Sequence, residues 1–279
     1  MKRLILTLAI LLCLPSISVA KDCKAVYGTG STIYTLATGS PGELGLLELL
    51  ADTFNAKNDT TMCWKKAGSG KSLKLLKAGK VDIVMVHAPA AEKKAVKDGW
   101  ASMRTLIGSN EFYIVGPKSD PAGISKAKDA ADAYSRIAST KAPFFSRGDN
   151  SGTHKKELAI WKKAHTTPEG AWYRTTHDFM QATLLKADAD KGYFMTDSST
   201  WVATKKDIKN LKVLFRGDPM LINTYHALMR PDGANAALAK KFIELLNSPK
   251  GQKLIGKYGK SLHGEAMYND AKYAAQYDH

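Results

Sequence analysis

The chain is poor in cysteine: three in 279 residues. Two of them, Cys23 and Cys63, stand far apart with no histidine nearby, which makes a poor metal site. None of the seven histidines forms an H-E-x-x-H pattern. Ser40, Ser69 and Ser151 all lack the G-x-S-x-G surround of a hydrolase nucleophile. His154 lies near Ser151, but helix spacing accounts for its place. No catalytic residue is assigned, and a hydrolytic enzyme is the distant alternative. Beyond Leu14 no apolar run approaches the roughly 20 residues of a membrane span. The formal charge is +15, yet no compact basic run is interleaved with aromatics. Nucleic acid is therefore not an expected partner, whereas a basic surface steers small anions.

What is present begins with an export leader over residues 1–20. Lys2-Arg3 is its charged start, Leu4 to Leu14 its apolar stretch and Ser18-Val19-Ala20 its cleavage site. Cys13 follows Leu11-Leu12, which are too bulky for a lipobox. The mature chain is read as exported and free in the periplasm or an equivalent compartment. In an oxidising compartment Cys23 and Cys63 are a disulfide candidate tying the mature N-terminus to an early strand.

The most informative stretch runs from Phe144-Phe145 through Ser146-Arg147-Gly148-Asp149-Asn150-Ser151-Gly152-Thr153-His154 to Glu157. An apolar strand end meets a small polar loop and then a helical pattern at Leu158, Ile160 and Trp161. Ser151 or Thr153 suits the N-cap. The start of such a helix offers backbone N–H groups and the positive end of the dipole. Arg147 adds a permanently charged forked donor, and Ser146, Ser151 and Thr153 add hydroxyls. The set suits an anion with several oxygens; an ordinary strand-to-helix loop with a capping serine would need only part of it.

Two further junctions share this grammar. Ala37-Thr38-Gly39-Ser40-Pro41-Gly42-Glu43 reads as an N-cap at Ser40, proline at N1 and a capping box to Glu43, opening a helix through Leu46, Leu47, Leu50 and Phe54. Capping explains Ser40; Thr38 and Ser40 could also donate to a ligand. Gly68-Ser69-Gly70-Lys71-Ser72 mimics the end of a phosphate-binding loop, but Lys65 stands where that motif requires glycine, so no nucleotide site is expected. What remains is a glycine turn able to cradle an oxyanion. His87, at the end of the apolar run Val81–Val86, is a weaker ligand candidate.

Strands and helices alternate throughout, as in an α/β protein with strands buried on both faces. Crossings near Gly116-Pro117 and Gly217-Asp218-Pro219 divide the chain into two lobes, 21–116 plus 221–279 and 117–220. Ligands of open α/β sheets bind beyond the C-terminal strand ends, so a cleft between lobes is the expected site. The tail after Gly264 is polar and reads as peripheral.

Lys141 to Glu157, Val86-His87-Ala88-Pro89, Ile114 to Gly123, Trp172-Tyr173 and Gly217-Asp218-Pro219 together give the chain a family likeness. It resembles periplasmic solute-binding proteins of ABC importers, in particular the tungstate-binding family of the Tup importer. The resemblance implies a two-lobed, type II periplasmic-binding-protein-like fold. It also implies a monomer that captures a tetrahedral oxyanion, tungstate first and molybdate next, without cofactor or metal, and delivers it to a membrane permease. The family's Thr-Thr-Thr-Ser stretch falls on Ala37-Thr38-Gly39-Ser40, its glycine turn on Gly68-Ser69-Gly70, and its Ser-Arg-Gly-Asp loop on Ser146, Arg147, Ser151, Gly152 and Thr153. Ala37 and Gly39 depart from that pattern. This leaves open a different small anion, such as a carboxylate.

Overall fold

The computed structural model describes residues 22–278; the leader and Cys13 lie outside them. The first strands, β1 (Ala25–Tyr27) and β2 (Thr32–Thr38), lead into α1 (Ser40–Glu43) and α2 (Leu46–Asn58). Then come β3 (Thr60–Lys66), α3 (Ser69–Lys77), β4 (Ile83–Val86), α4 (Pro89–Lys97) and the long β5 (Ser102–Pro117). The middle of the chain forms α5 (Ala130–Thr140), β6 (Phe144–Ser146), α6 (Gly152–Lys163), β7 (Tyr173–Thr175) and α7 (Met180–Ala189). It continues with β8 (Tyr193–Asp197), α8 (Ser198–Thr204) and β9 (Leu211–Phe215). The return is β10 (Ile222–Met229), followed by α9 (Ala236–Asn247), α10 (Pro249–Lys257), α11 (Lys260–His263) and α12 (Ala271–Ala274).

The ten strands form one mixed sheet in the order β1-β3-β2-β4-β10-β5-β8-β6-β7, with β9 also on β5. β2 runs parallel to β3 and β4, and β6 parallel to β7 and β8. β10 is antiparallel to both β4 and β5. The apolar side chains collect in two lobes. One core centres on Phe112, Tyr134, Phe144, Trp161 and Phe194. The other side holds Tyr34, Leu47, Phe54, Phe242 and Ile243, with a satellite of Leu73, Leu76, Val84 and Val86 on the opposite face of the sheet. β5 feeds both sides, through Ile107 and through Phe112–Val115. Cys23 and Cys63 are bonded, their Cα atoms 5.4 Å apart. Closing this 40-residue span constrains the unfolded chain by about 4 kcal/mol in the chain-entropy account.

Two expectations at the Ser40 junction are corrected, and two strands add to the picture. Ser40 is the first residue of α1, not its cap; Gly39 holds that place and its carbonyl accepts from the Gly42 and Glu43 N–H groups. The helix expected to run on from Ser40 is cut at Gly45, whose left-handed backbone (φ 85°) turns the chain into α2. β5 starts at Ser102, well before its buried apolar stretch Phe112–Val115, because β10 pairs with it from Ser102 to Glu111 across two bulges. β7, a three-residue strand at Tyr173–Thr175, is held by parallel pairing to β6.

The tail is not peripheral. Met267 and Tyr268 are buried in the core, and Asn269 bridges to Ser109 on β5. Asp278 takes two hydrogen bonds from Arg104 and faces His226 Nε2 at 3.1 Å. Arg104 Nε donates to fully buried Glu92 at 3.2 Å, and Glu92 Oε2 lies 3.0 Å from His226 Nδ1. Two carboxylates, a guanidinium and an imidazole thus clasp the C-terminus to β5, β10 and α4.

Candidate functional site

The loops after β2, β3, β4 and β6 all leave the sheet at strand C-termini, the first three from one lobe and the last from the other. They converge on a small, largely closed cavity lined by Gly39, Ser40, Pro41, Gly68, Ser69, Met85, His87, Arg147, Phe179 and Tyr225. Residues from both lobes and from the crossing strand β10 contribute. The first N–H groups of a helix have no carbonyl a turn earlier to bond, so the starts of α3 and α6 bring free donors to this region. Ser151 caps α6, its Oγ accepting from His154 N–H at 3.3 Å.

The lobes touch around the cavity, and glycine permits it. A methyl group on Gly70 would stand 2.8 Å from the Asn150 carbonyl oxygen, and one on Gly152 would stand 2.4 Å from the His87 ring. Gly68 lies beside Ser151 and Arg147. The glycine turn of one lobe and the Arg147 loop of the other are therefore one constellation.

Arg147 is only 4% exposed. Its Nε donates to the Asp178 carbonyl at 3.2 Å, one Nη is paired with Asp149, and Phe179 lies under the guanidinium. Its Nη1 has no protein partner among the described residues. Burial works to raise the Asp149 carboxyl, but Arg147 and Ser151 hold it below its ordinary value. Thr153 Oγ1 is buried and has no hydrogen-bond partner among the described residues. An unpaired buried hydroxyl costs stability unless something binds it.

Other expected residues are occupied elsewhere. Thr38 Oγ1 donates to the Met85 carbonyl at 2.8 Å, which spends its proton inside the first lobe. Ser146 Oγ donates to Glu157 at 2.8 Å and accepts from Gly148 N–H. Burial pushes the Glu157 carboxyl up to about 7 against the hydrogen bonds of Tyr173, Ser146 and Trp161. Ser40 stays at the cavity, with only a long 3.5 Å contact to Asp197. His154 Nδ1 accepts from Asn150 N–H at 3.1 Å, so its imidazole closes a turn and is not turned on Ser151 Oγ.

Sequence reasoning missed Phe179 and Tyr225 on the cavity wall. It also missed a buried polar chain behind His87. His87 Nδ1 lies 2.8 Å from Asn223 Oδ1, Asn223 Nδ2 donates to Asn110 Oδ1 at 2.8 Å, and Asn110 Nδ2 donates to Asp197 at 3.3 Å. The signal was an asparagine interrupting each of two strand patterns, since a buried amide needs a partner.

Fold and site together define a two-lobed binding protein, and residues 25–250 match the PBP superfamily domain; the chain belongs to that superfamily. Within it the chain falls in the TupA family. It is 34% identical over 271 residues to the tungstate-binding protein TupA of Peptoclostridium acidaminophilum, covering 95% of this chain and 94% of the relative. Among solved structures, the tungstate ABC transporter protein of Geobacter sulfurreducens matches at 39% identity and a TM-score of 0.74, over 82% of this chain and all of the other. TupA of Desulfovibrio alaskensis matches at 38% identity and a TM-score of 0.71, over 86% and 99% of the two chains.

Proposed function

We propose that this protein is an exported solute-binding protein that captures a tetrahedral oxyanion, tungstate first and molybdate next, for an ABC importer. The observation that carries the reading is the convergence of Arg147 and two glycine-led helix starts on one small inter-lobe cavity. The names of the full-length relatives supply the choice of tungstate. Gly39, Ser40, Ser69 and Gly70 would hold the anion from one lobe, and Arg147, Ser151, Gly152 and Thr153 from the other. Charge-assisted bonds of this kind are short and strong. The lobes, taken as 21–116 plus 221–279 and 117–220, would close over it by a hinge motion across β5 and β10. Binding rather than turnover fits a site whose Ser151 and His154 serve as helix and turn caps. No helix among the described residues is long and apolar enough to cross a membrane. The reading places it as a monomer in the periplasm that hands its anion to a membrane permease.

Thr38 departs from a purely anion-binding role because its hydroxyl is committed to Met85. Ala37 and Gly39, which replace two hydroxyl-bearing positions of the family's pattern, leave a second reading, a different small anion such as a carboxylate in the same cleft. Calorimetric titration of the mature protein with tungstate, molybdate, sulfate and phosphate in one buffer tests both. Tight binding of tungstate is the expected result. Binding of none of the four would move the search to carboxylates.

A further inference from the structure

Of the side chains on the cavity wall, Pro41, Met85 and Phe179 are apolar, Ser40, Ser69, Arg147 and Tyr225 can donate, and His87 is the one imidazole. The chain behind it starts at Asp197, a buried carboxylate that can only accept when ionised, here from Thr200 N–H at 2.8 Å and from Asn110 Nδ2. Asn110 therefore turns its oxygen to Asn223, and Asn223 turns its oxygen to His87. Once the carboxylate is fixed, each amide has one way round. His87 Nδ1 must carry a hydrogen, so in the neutral ring Nε2 is a bare lone pair. Nε2 has no protein partner among the described residues, and the ring lines the cavity with Tyr225 against its face at 4.8 Å.

Charge is also short on this wall. Arg147 is the only charged side chain lining the cavity among the described residues, and Asp149 already matches it. Of the other charged or titratable groups near His87, Lys156 comes from α6 and Tyr225 from β10. Lys66, over Phe179, is paired with Glu43. Even with Lys156 as a further cation nearby, an arriving dianion would leave about one negative charge unmatched in a buried site, which is costly unless a counter-charge appears.

We propose that His87 takes up one proton from solvent at Nε2 when a fully ionised oxyanion enters the cleft, so that Nε2–H donates to the anion while Nδ1–H stays on Asn223. The inference rests on the anion-binding reading above. No bond to the anion is made or broken; the neutral imidazole becomes an imidazolium and the buffer loses the proton. An anion that brings its own O–H, such as hydrogen phosphate, satisfies the same lone pair without uptake. In the free protein burial, and next the charge of Arg147, push His87 down to about 4. The bound value is higher than the free one, so affinity rises as pH falls through the bound value and levels off near the free one.

The test is calorimetry of the mature protein with tungstate at pH 7 in buffers of different ionisation enthalpy, repeated at pH 8 and 9, for wild type and His87→Gln. The glutamine amide offers an N–H that does not titrate. Expected are uptake of about one proton per tungstate and affinity falling up to about tenfold per pH unit in the wild type. Both should be lost in His87→Gln at an unchanged melting temperature. Tungstate binding with no proton uptake and no pH slope in the wild type would overturn the proposal, as would undiminished uptake in the variant. Should His87→Gln not fold, the wild-type linkage alone decides. If tungstate, molybdate and sulfate all fail to bind, the anion reading itself falls and this inference with it.

Discussion

Two histidines lie almost side by side in the sheet and are treated in opposite ways. His226 on β10 pairs across the ladder with Val86, the residue before His87. His226 has a carboxylate oxygen against each ring nitrogen, and Arg104 joins both carboxylates. His87 has a neutral amide on one nitrogen and the cavity beside the other. One ring is given ionic neighbours on both sides where the fold must be held, and the other keeps an open nitrogen where a ligand is to arrive. The clasp is structural and the cleft is receptive, although only a strand's width separates them.

The contrast can be broken by removing one member of each set. The largest loss of stability is expected for Arg104→Ala, which leaves fully buried Glu92 with His226 as its one ionic partner. Uncompensated buried carboxylates cost roughly 3–5 kcal/mol. Denaturant unfolding should show this, with the anion affinity of the folded protein unchanged. Arg147→Ala should do the reverse, weakening tungstate binding by roughly 100-fold on calorimetry, as the loss of a charge-assisted donor implies. Equal affinity in that variant would remove Arg147 from the site.

Acid sharpens the comparison. Burial works to raise the Asp278 carboxyl, but its hydrogen bonds from Arg104 and His226 hold it down at about 2. Its folded value lies below its unfolded one, so its stabilisation is present above about pH 4 and is lost as pH falls through 2. Unfolding free energy measured from pH 5 to pH 2 should decline less steeply in Asp278→Asn than in the wild type. The smallest effect is expected at Thr38→Val, which removes one buried hydrogen bond to Met85. About 1 kcal/mol of stability should go, with anion affinity held. A large loss of affinity would return Thr38 to the ligand shell.

The receptive half of the molecule was the more legible in sequence. The loop from Ser146 to Glu157 announces itself because anion cradles need glycine, small hydroxyls and arginine at adjacent positions, and helix starts carry local capping signals. Ser151 as cap, the turn at Gly68 and the alternation of strands and helices all follow from residues close in the chain. The clasp is assembled from Glu92, Arg104, His226 and Asp278, and the relay from Asn110, Asp197 and Asn223. Each depends on strands meeting across the sheet over long sequence separations, and no local periodicity encodes such meetings. The buried tail was missed for the same reason: the apolar residues it buries, Met267, Tyr268 and Ala274, have no periodic pattern of their own.

β5 has a consequence for how the protein comes apart. One strand of 16 residues places Ile107 in the core of one lobe and Phe112–Val115 in that of the other. Unravelling either end strips pairing from β10 on one side and from β8 and β9 on the other. The lobes are therefore expected to melt as a single cooperative unit. In hydrogen exchange, the central amides of β5 should be among the last to report, opening only with the whole molecule, while the cleft loops exchange through small local fluctuations.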